Sequence, residues 1–215
     1  MSEKIYNKNT GYHNRRSIRL KGYDYSQPGY YFVTVCIHDR KQFLFGNIIK
    51  NKMVLNQFGN IVKNEILKTE QMRPNVKIND HIVMPDHCHI IYQICETRSS
   101  GSLYGHVATC PNVAPTQRAS TKIQIERFGK PTSNSIPTIV RLTKSTIKKQ
   151  INILRNTPGK EVWQGNYYEH IIRDARSLFY IKRYIQENPL HWHTAIDNHI
   201  YSEINHFEMT EIEEL

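Results

Sequence analysis

The sequence predicts an α+β fold in which an antiparallel sheet carries helices packed on one or both faces. Three observations lead there. Segments rich in β-branched and aromatic residues recur along the chain and read as strands. Between them lie segments with apolar residues at helical spacing. The order β-β-α-β-β-α-β-α contains no repeat and no regular strand–helix alternation of the kind that builds parallel sheets.

The first strand is Tyr30–Ile37, led by the Pro28-Gly29 turn, and a second short strand is expected around Phe43–Ile49. Residues Gln57–Met72 carry Phe58, Ile61, Val62, Ile66 and Leu67 at helical spacing, and Pro74 stops that helix. Val76–Met84 and His87–Ile94 read as two further strands around Pro85-Asp86. Residues 96–135 are rich in Ser, Thr, Gly and Pro and read as a long loop or insert. A helix starts near Pro137 and runs to Leu154, with Ile139, Leu142, Ile147, Ile151 and Leu154 as its apolar stripe. A strand over Tyr167–Arg173 and a helix over Ala175–Asn188 close the series. Asp174 is the N-cap of that helix and Pro189 its expected end.

The 215 residues suit one domain. We divide them into a basic arm (1–22), a main domain (23–200) and an acidic tail (201–215). The net charge is +10, with five Glu and no Lys or Arg after Ile200. Residues 1–200 therefore carry 29 basic against 14 acidic side chains, a balance that favours a polyanionic partner. Mean hydropathy is −0.59, and no apolar run is long enough to cross a membrane. No signal peptide is visible and no C-x-x-C pair occurs. The four cysteines (36, 88, 95 and 110) are thus expected to be free thiols in a cytoplasmic protein.

His87 and His89 are the first candidates for a site. Two apart on a strand, they point to one face while Cys88 points to the other. Such a pair is either half of a metal site or two satisfied surface histidines. His191-Trp192-His193 has the same spacing but lies outside any strand, and we read it as structural. Spacing alone does not choose between these readings.

The text around the pair does. Val83-Met84-Pro85-Asp86-His87-Cys88-His89-Ile90-Ile91 resembles the HUH signature of small single-tyrosine transposases, in particular the REP-associated tyrosine transposases and their insertion-sequence relatives. Three more blocks are similar to that group and stand in the same order. These are Asn14–Tyr25, Val162–Arg173 and Tyr184-Ile185-Gln186-Glu187-Asn188-Pro189-Leu190. The chain departs from the pattern at Cys88, smaller than the usual Val, Met or Leu, and in the segment 96–135, which has no counterpart. Cys88 should still pack as a small hydrophobe.

The resemblance implies a ferredoxin/RRM-like HUH fold, which would make residues 23–200 a catalytic domain. It implies Mg²⁺ or Mn²⁺ held by His87 and His89, with the amide oxygen of Asn188 as third ligand, and Tyr184 as nucleophile. It implies single-stranded DNA with hairpins as partner, cut and rejoined through a 5′-phosphotyrosine linkage. Relatives in the group are monomers or swapped dimers. The residues agree with this assignment. Tyr184 sits at the edge of the stripe Leu178, Ile181, Ile185, and Asn188 shares its face four residues on. Tyr167, Tyr168 and Tyr180 are rival nucleophiles. His170 is either a supporting residue of the site or a packed strand histidine. Arg15, Arg16, Arg19, Lys144, Lys148 and Lys149 are candidate DNA contacts. Two other readings stay open: a domesticated protein that binds hairpins without cutting, and a histidine-based phosphodiesterase working through water.

Overall fold

The computed structural model describes residues 19–20, 22–97, 108–109 and 132–192. The chain runs β1 (Gly29–Cys36), β2 (Gly46–Ile49), β3 (Lys52–Leu55), α1 (Gln57–Met72), β4 (Val76–Val83) and β5 (His87–Ile94). It continues with β6 (Glu96–Thr97), β7 (Ala108–Thr109), α2 (Ile136–Leu154), β8 (Tyr168–Ile172) and α3 (Ala175–His191). The main sheet has the order β4-β5-β1-β8, antiparallel throughout. With α1 and α2 as crossovers this is the β-α-β-β-α-β arrangement of ferredoxin-like folds.

Helices cover both faces. Odd-numbered β1 residues (Tyr31, Val33, Val35) join Val62 and Ile66 of α1 and Ile139, Ile147 and Ile151 of α2 in the larger core. The even-numbered Tyr30 and Phe32 join Ile91, Ile172, Ile181 and Ile185 in a smaller core under α3. The period-two alternation of strand side chains thus divides one strand between two cores. It also explains why β1 and β5 are buried at every position.

Each long helix starts on a side-chain cap. Asn56 accepts from the Phe58 and Gly59 N–H groups, Ser135 from Thr138 N–H, and Asp174 from Ser177 N–H. Gly59 has a packing role as well. A β-carbon there would lie 2.2 Å from the Phe45 carbonyl oxygen, so only glycine lets α1 approach that strand lead.

Four expectations need correction. The short strand expected over Phe43–Ile49 is a hairpin, β2 with β3, and Phe43 lies ahead of it. Its turn residues Lys50 and Asn51 both adopt left-handed φ (49° and 58°), as a two-residue type I′ turn requires. Lys at the first position hid that signal. Pro189 does not end α3, which runs on to His191. In the last turn, proline's missing N–H costs one hydrogen bond, and its buried ring contributes packing in return. Cys36 and Cys88 lie outside any disulfide, but Cys95 is disulfide-bonded. It directly precedes β6, whose antiparallel pairing with β7 draws together two chain segments from the 96–135 region. That region is also not wholly a loop, since it holds β6 and β7.

Residues 1–18, 21, 98–107, 110–131 and 193–215 lie outside the described residues. So do Arg15, Arg16, Cys110, His193, most of the basic arm and of the 96–135 segment, and the acidic tail. Among the described residues no helix is long and apolar enough to cross a membrane.

Candidate active site

The site forms where β5, β1 and α3 meet, on the sheet face under α3. Antiparallel register places Thr34 opposite His89 and Cys36 opposite His87. Directly opposed residues share a face, so Thr34, His87 and His89 project together, while Cys88 projects into the larger core. Cys88 is 2% exposed, and burial, reinforced by nearby Cys36, pushes its thiol up to about 12. It packs as the small hydrophobe the sequence suggested.

Both imidazoles are held from behind. Nδ1 of His87 bonds the Asp86 carboxylate at 2.5 Å, and Nδ1 of His89 pairs with the Thr34 hydroxyl at 2.8 Å. Arg40 donates from Nε to the other Asp86 oxygen at 2.9 Å. Burial pushes the Asp86 carboxyl up, but His87 and the Arg40 guanidinium outweigh it and hold the group below its usual value. Asp86 is therefore ionised and accepts from His87 Nδ1–H, so the ring's lone pair, when His87 acts as a ligand, lies on Nε2. His89 is fully enclosed. Burial, then the proximity of His87 and Arg40, hold it well below 6.5, so it is neutral at ordinary pH.

The front of the site is the convergence of three atoms. The Nε2 atoms of His87 and His89 lie 3.0 Å apart, and the Tyr184 hydroxyl lies 3.2 Å from His89 Nε2. Phe32 stacks on His89 (centroids 5.2 Å, planes at 25°) and meets Tyr184 edge-on, which fixes both rings. Tyr184 belongs to the small core under α3, and Asn188, one turn on, is 8% exposed.

This donor set fits a divalent cation. Two nitrogens each about 2.1 Å from one ion and at a right angle would lie about 3.0 Å apart. The observed separation has that value, with both outer nitrogens already engaged. Among the described residues no three His, Cys, Asp or Glu side chains gather into one ligand group.

The other sequence candidates fall elsewhere. Tyr167 is buried in the larger core, while Tyr168 (44%) and Tyr180 (36%) are exposed. His170 pairs with Phe32 on β1 and so lies on the face of the site, half-buried. Arg19 faces Glu169 and lies over the Tyr167 ring. Lys144 donates to the carbonyls of Gln164 and Asn166, and Lys148 pairs with Glu161 at 2.6 Å. Burial lowers the Lys144 ammonium, which fits a bracing role. Lys149 is exposed. Sequence reasoning missed Thr34, Arg40 and Asp86, although Asp86 stands beside the motif. It also set aside Trp192, whose ring lies 6.0 Å from that of His87.

No protein-family model matches the sequence. Two solved structures match the chain in part. A REP-associated tyrosine transposase bound to a REP hairpin matches with a TM-score of 0.46 and 21% identity, over 76% of this chain and 68% of that one. A Deinococcus radiodurans R1 protein, provisionally described as a transposase, matches with a TM-score of 0.36 and 14% identity, over 78% of this chain and 96% of that one. An uncharacterised protein of Haemophilus influenzae Rd is 40% identical over 184 residues, spanning 86% of this chain and 93% of its own length. The chain belongs to the same family as that Haemophilus influenzae protein.

Proposed function

We propose that the protein is a metal-dependent transposase that cleaves and rejoins hairpin-associated single-stranded DNA through a 5′-phosphotyrosine linkage. One observation carries the reading. The Tyr184 hydroxyl from α3 meets Nε2 of His89 at 3.2 Å, and that nitrogen lies 3.0 Å from Nε2 of His87 in the same His-Cys-His motif. The motif's resemblance to the HUH signature supplies the reaction class.

His87 and His89, with Asn188, would hold Mg²⁺ or Mn²⁺; imidazole ligands favour the latter. When bound, such an ion polarises the scissile phosphate and favours the phenolate of Tyr184. Tyr184 forms the new bond from its phenolic oxygen to phosphorus. The bond from phosphorus to the 3′ oxygen breaks. The proton lost by the phenol is balanced by the one that completes the free 3′-OH. The 5′ phosphate stays on Tyr184 as a phosphodiester, so the energy of the broken ester is retained and a new 3′-OH can reverse the step. Asp86 and Thr34 hold the imidazoles in place throughout, and Phe32 keeps Tyr184 from swinging away.

The test is a covalent protein–DNA species formed with labelled, hairpin-bearing single strands and Mg²⁺. It is expected with the parent protein and expected to vanish with EDTA, His87→Ala and Tyr184→Phe. Cleavage that persists in Tyr184→Phe would overturn the nucleophile and favour hydrolysis through water. Hairpin binding with no cleavage would favour a domesticated binding protein.

A further inference from the structure

Beside the imidazole pair lies an aromatic pair that neither core explains. Trp192, at the end of α3, has its ring 6.0 Å from His87 with the planes 30° apart. Phe43, in the segment between β1 and β2, meets Trp192 edge-on at 5.7 Å and 69°. Neither ring belongs to either hydrophobic cluster. Phe43 is 55% exposed and Trp192 half-buried. A phenyl ring that exposed gains little from the fold, since its apolar surface stays in water. The same segment carries Arg40, which reaches back to Asp86, and exposed Lys41. Aromatic rings interleaved with cations are the usual platform for an unpaired strand.

We propose that Phe43 and Trp192 form a stacking subsite for the nucleobase that flanks the phosphate held at His87 and His89. This rests on the proposed function and adds a specificity element to it. A base within a duplex has both faces covered by its neighbours, whereas an unpaired base can offer a face to Trp192. The subsite therefore selects a single strand at the point of cleavage, independently of how the hairpin is held. Stacking is tolerant of base identity, so it selects an unpaired nucleotide rather than a sequence.

Trp192 also reports on its own occupancy, because the chain has two tryptophans and the other, Trp163, is buried. The difference in emission between the Tyr184→Phe protein and the same protein with Trp192→Phe isolates the Trp192 signal. Full-length protein would be titrated with Mg²⁺ and hairpin-bearing oligonucleotides, with single abasic sites placed along the strand around the cleaved bond. The Trp192 signal should be quenched by the intact strand. An abasic site at one flanking position should weaken binding roughly 5- to 100-fold, against small effects further away. Phe43→Ala and Trp192→Ala should reproduce the loss, and Trp192→Phe should restore most of it. Equal affinity for every abasic strand, or unchanged affinity in Trp192→Ala, overturns the subsite. If the parent still forms the covalent adduct in that case, the proposed function survives without it. A protein that neither binds the strand nor forms the adduct loses both. Quenching that follows protein concentration, not oligonucleotide, overturns the subsite in favour of a contact between copies of the chain.

Discussion

The Tyr184 hydroxyl lies 3.2 Å from Nε2 of His89, although 95 residues separate them in sequence. A helix on one sheet face and a central strand beneath it have to be correctly packed for this to occur. The contact joins the proposed nucleophile to an imidazole proposed as a metal ligand, and the surrounding structure determines how firmly it is held.

Asp86 is the first place to probe that firmness. Its carboxylate accepts from His87 and binds Arg40. Asp86→Asn keeps the shape but removes the charge that fixes the Nδ1–H tautomer. Mn²⁺ affinity should fall about 10- to 100-fold, measured by calorimetric titration of the purified protein. The circular dichroism spectrum should be unchanged. Unaltered affinity would mean that backbone packing alone orients His87.

Acid should destabilise the metal-free protein early. Burial holds His89 and His81 below 6.5 in the folded state; at His81, Lys63 reinforces the effect and Asp80 and Glu70 oppose it. Below the unfolded value of about 6.5 the unfolded chain binds protons that the folded chain refuses. Stability should thus be full above that pH and decline as pH falls below it. Urea denaturation from pH 8 to pH 5 would show the slope. His81→Gln should flatten part of it, and a profile identical to the parent's would remove His81 from the account.

Gly59→Ala separates packing from propensity. Within a helix the change should stabilise by about 1 kcal/mol. Here the new β-carbon meets the Phe45 carbonyl oxygen at 2.2 Å and the Leu55 side chain at 2.9 Å. Overpacking should prevail, with a net loss of about 1–3 kcal/mol in chemical denaturation. A stabilised variant would show that α1 can shift outward freely.

The lysines of α2 should not contribute equally to DNA binding. Removing one lysine that neutralises a phosphate lowers the single-strand salt slope by about 0.7. Lys148 is already paired with Glu161, whereas Lys149 is exposed. Lys149→Ala should lower the slope and Lys148→Ala should change it less, measured by anisotropy across a salt series. An unchanged slope in the double variant would take this helix out of the DNA path.

Much of the architecture was legible from the sequence because it depends on local rules. The helix over Gln57–Met72 and the strand over His87–Ile94 follow from apolar spacing, caps and turn residues, and their bounds agree with the structure. The placing of His87 and His89 on one face follows from the two-residue repeat of any strand. The β2–β3 turn and the last turn of α3 were harder to read. Left-handed Lys50 and the helical Pro189 depend on context rather than on residue preference.

What tertiary structure alone decided was which distant groups meet. Sequence could nominate Tyr184 from its place in a motif, but only the packing of α3 on the sheet brings its hydroxyl to His89. The roles of Thr34, through strand register, and of Arg40, through a side chain reaching across from the segment after β1, have no local signature. Trp192 shows the same limit from the other side. In sequence it sits within a histidine pair with the right spacing in the wrong setting, and in space its ring stands beside His87. Local preferences are encoded residue by residue, whereas a site depends on distances that arise only when separate elements bury their faces against one another.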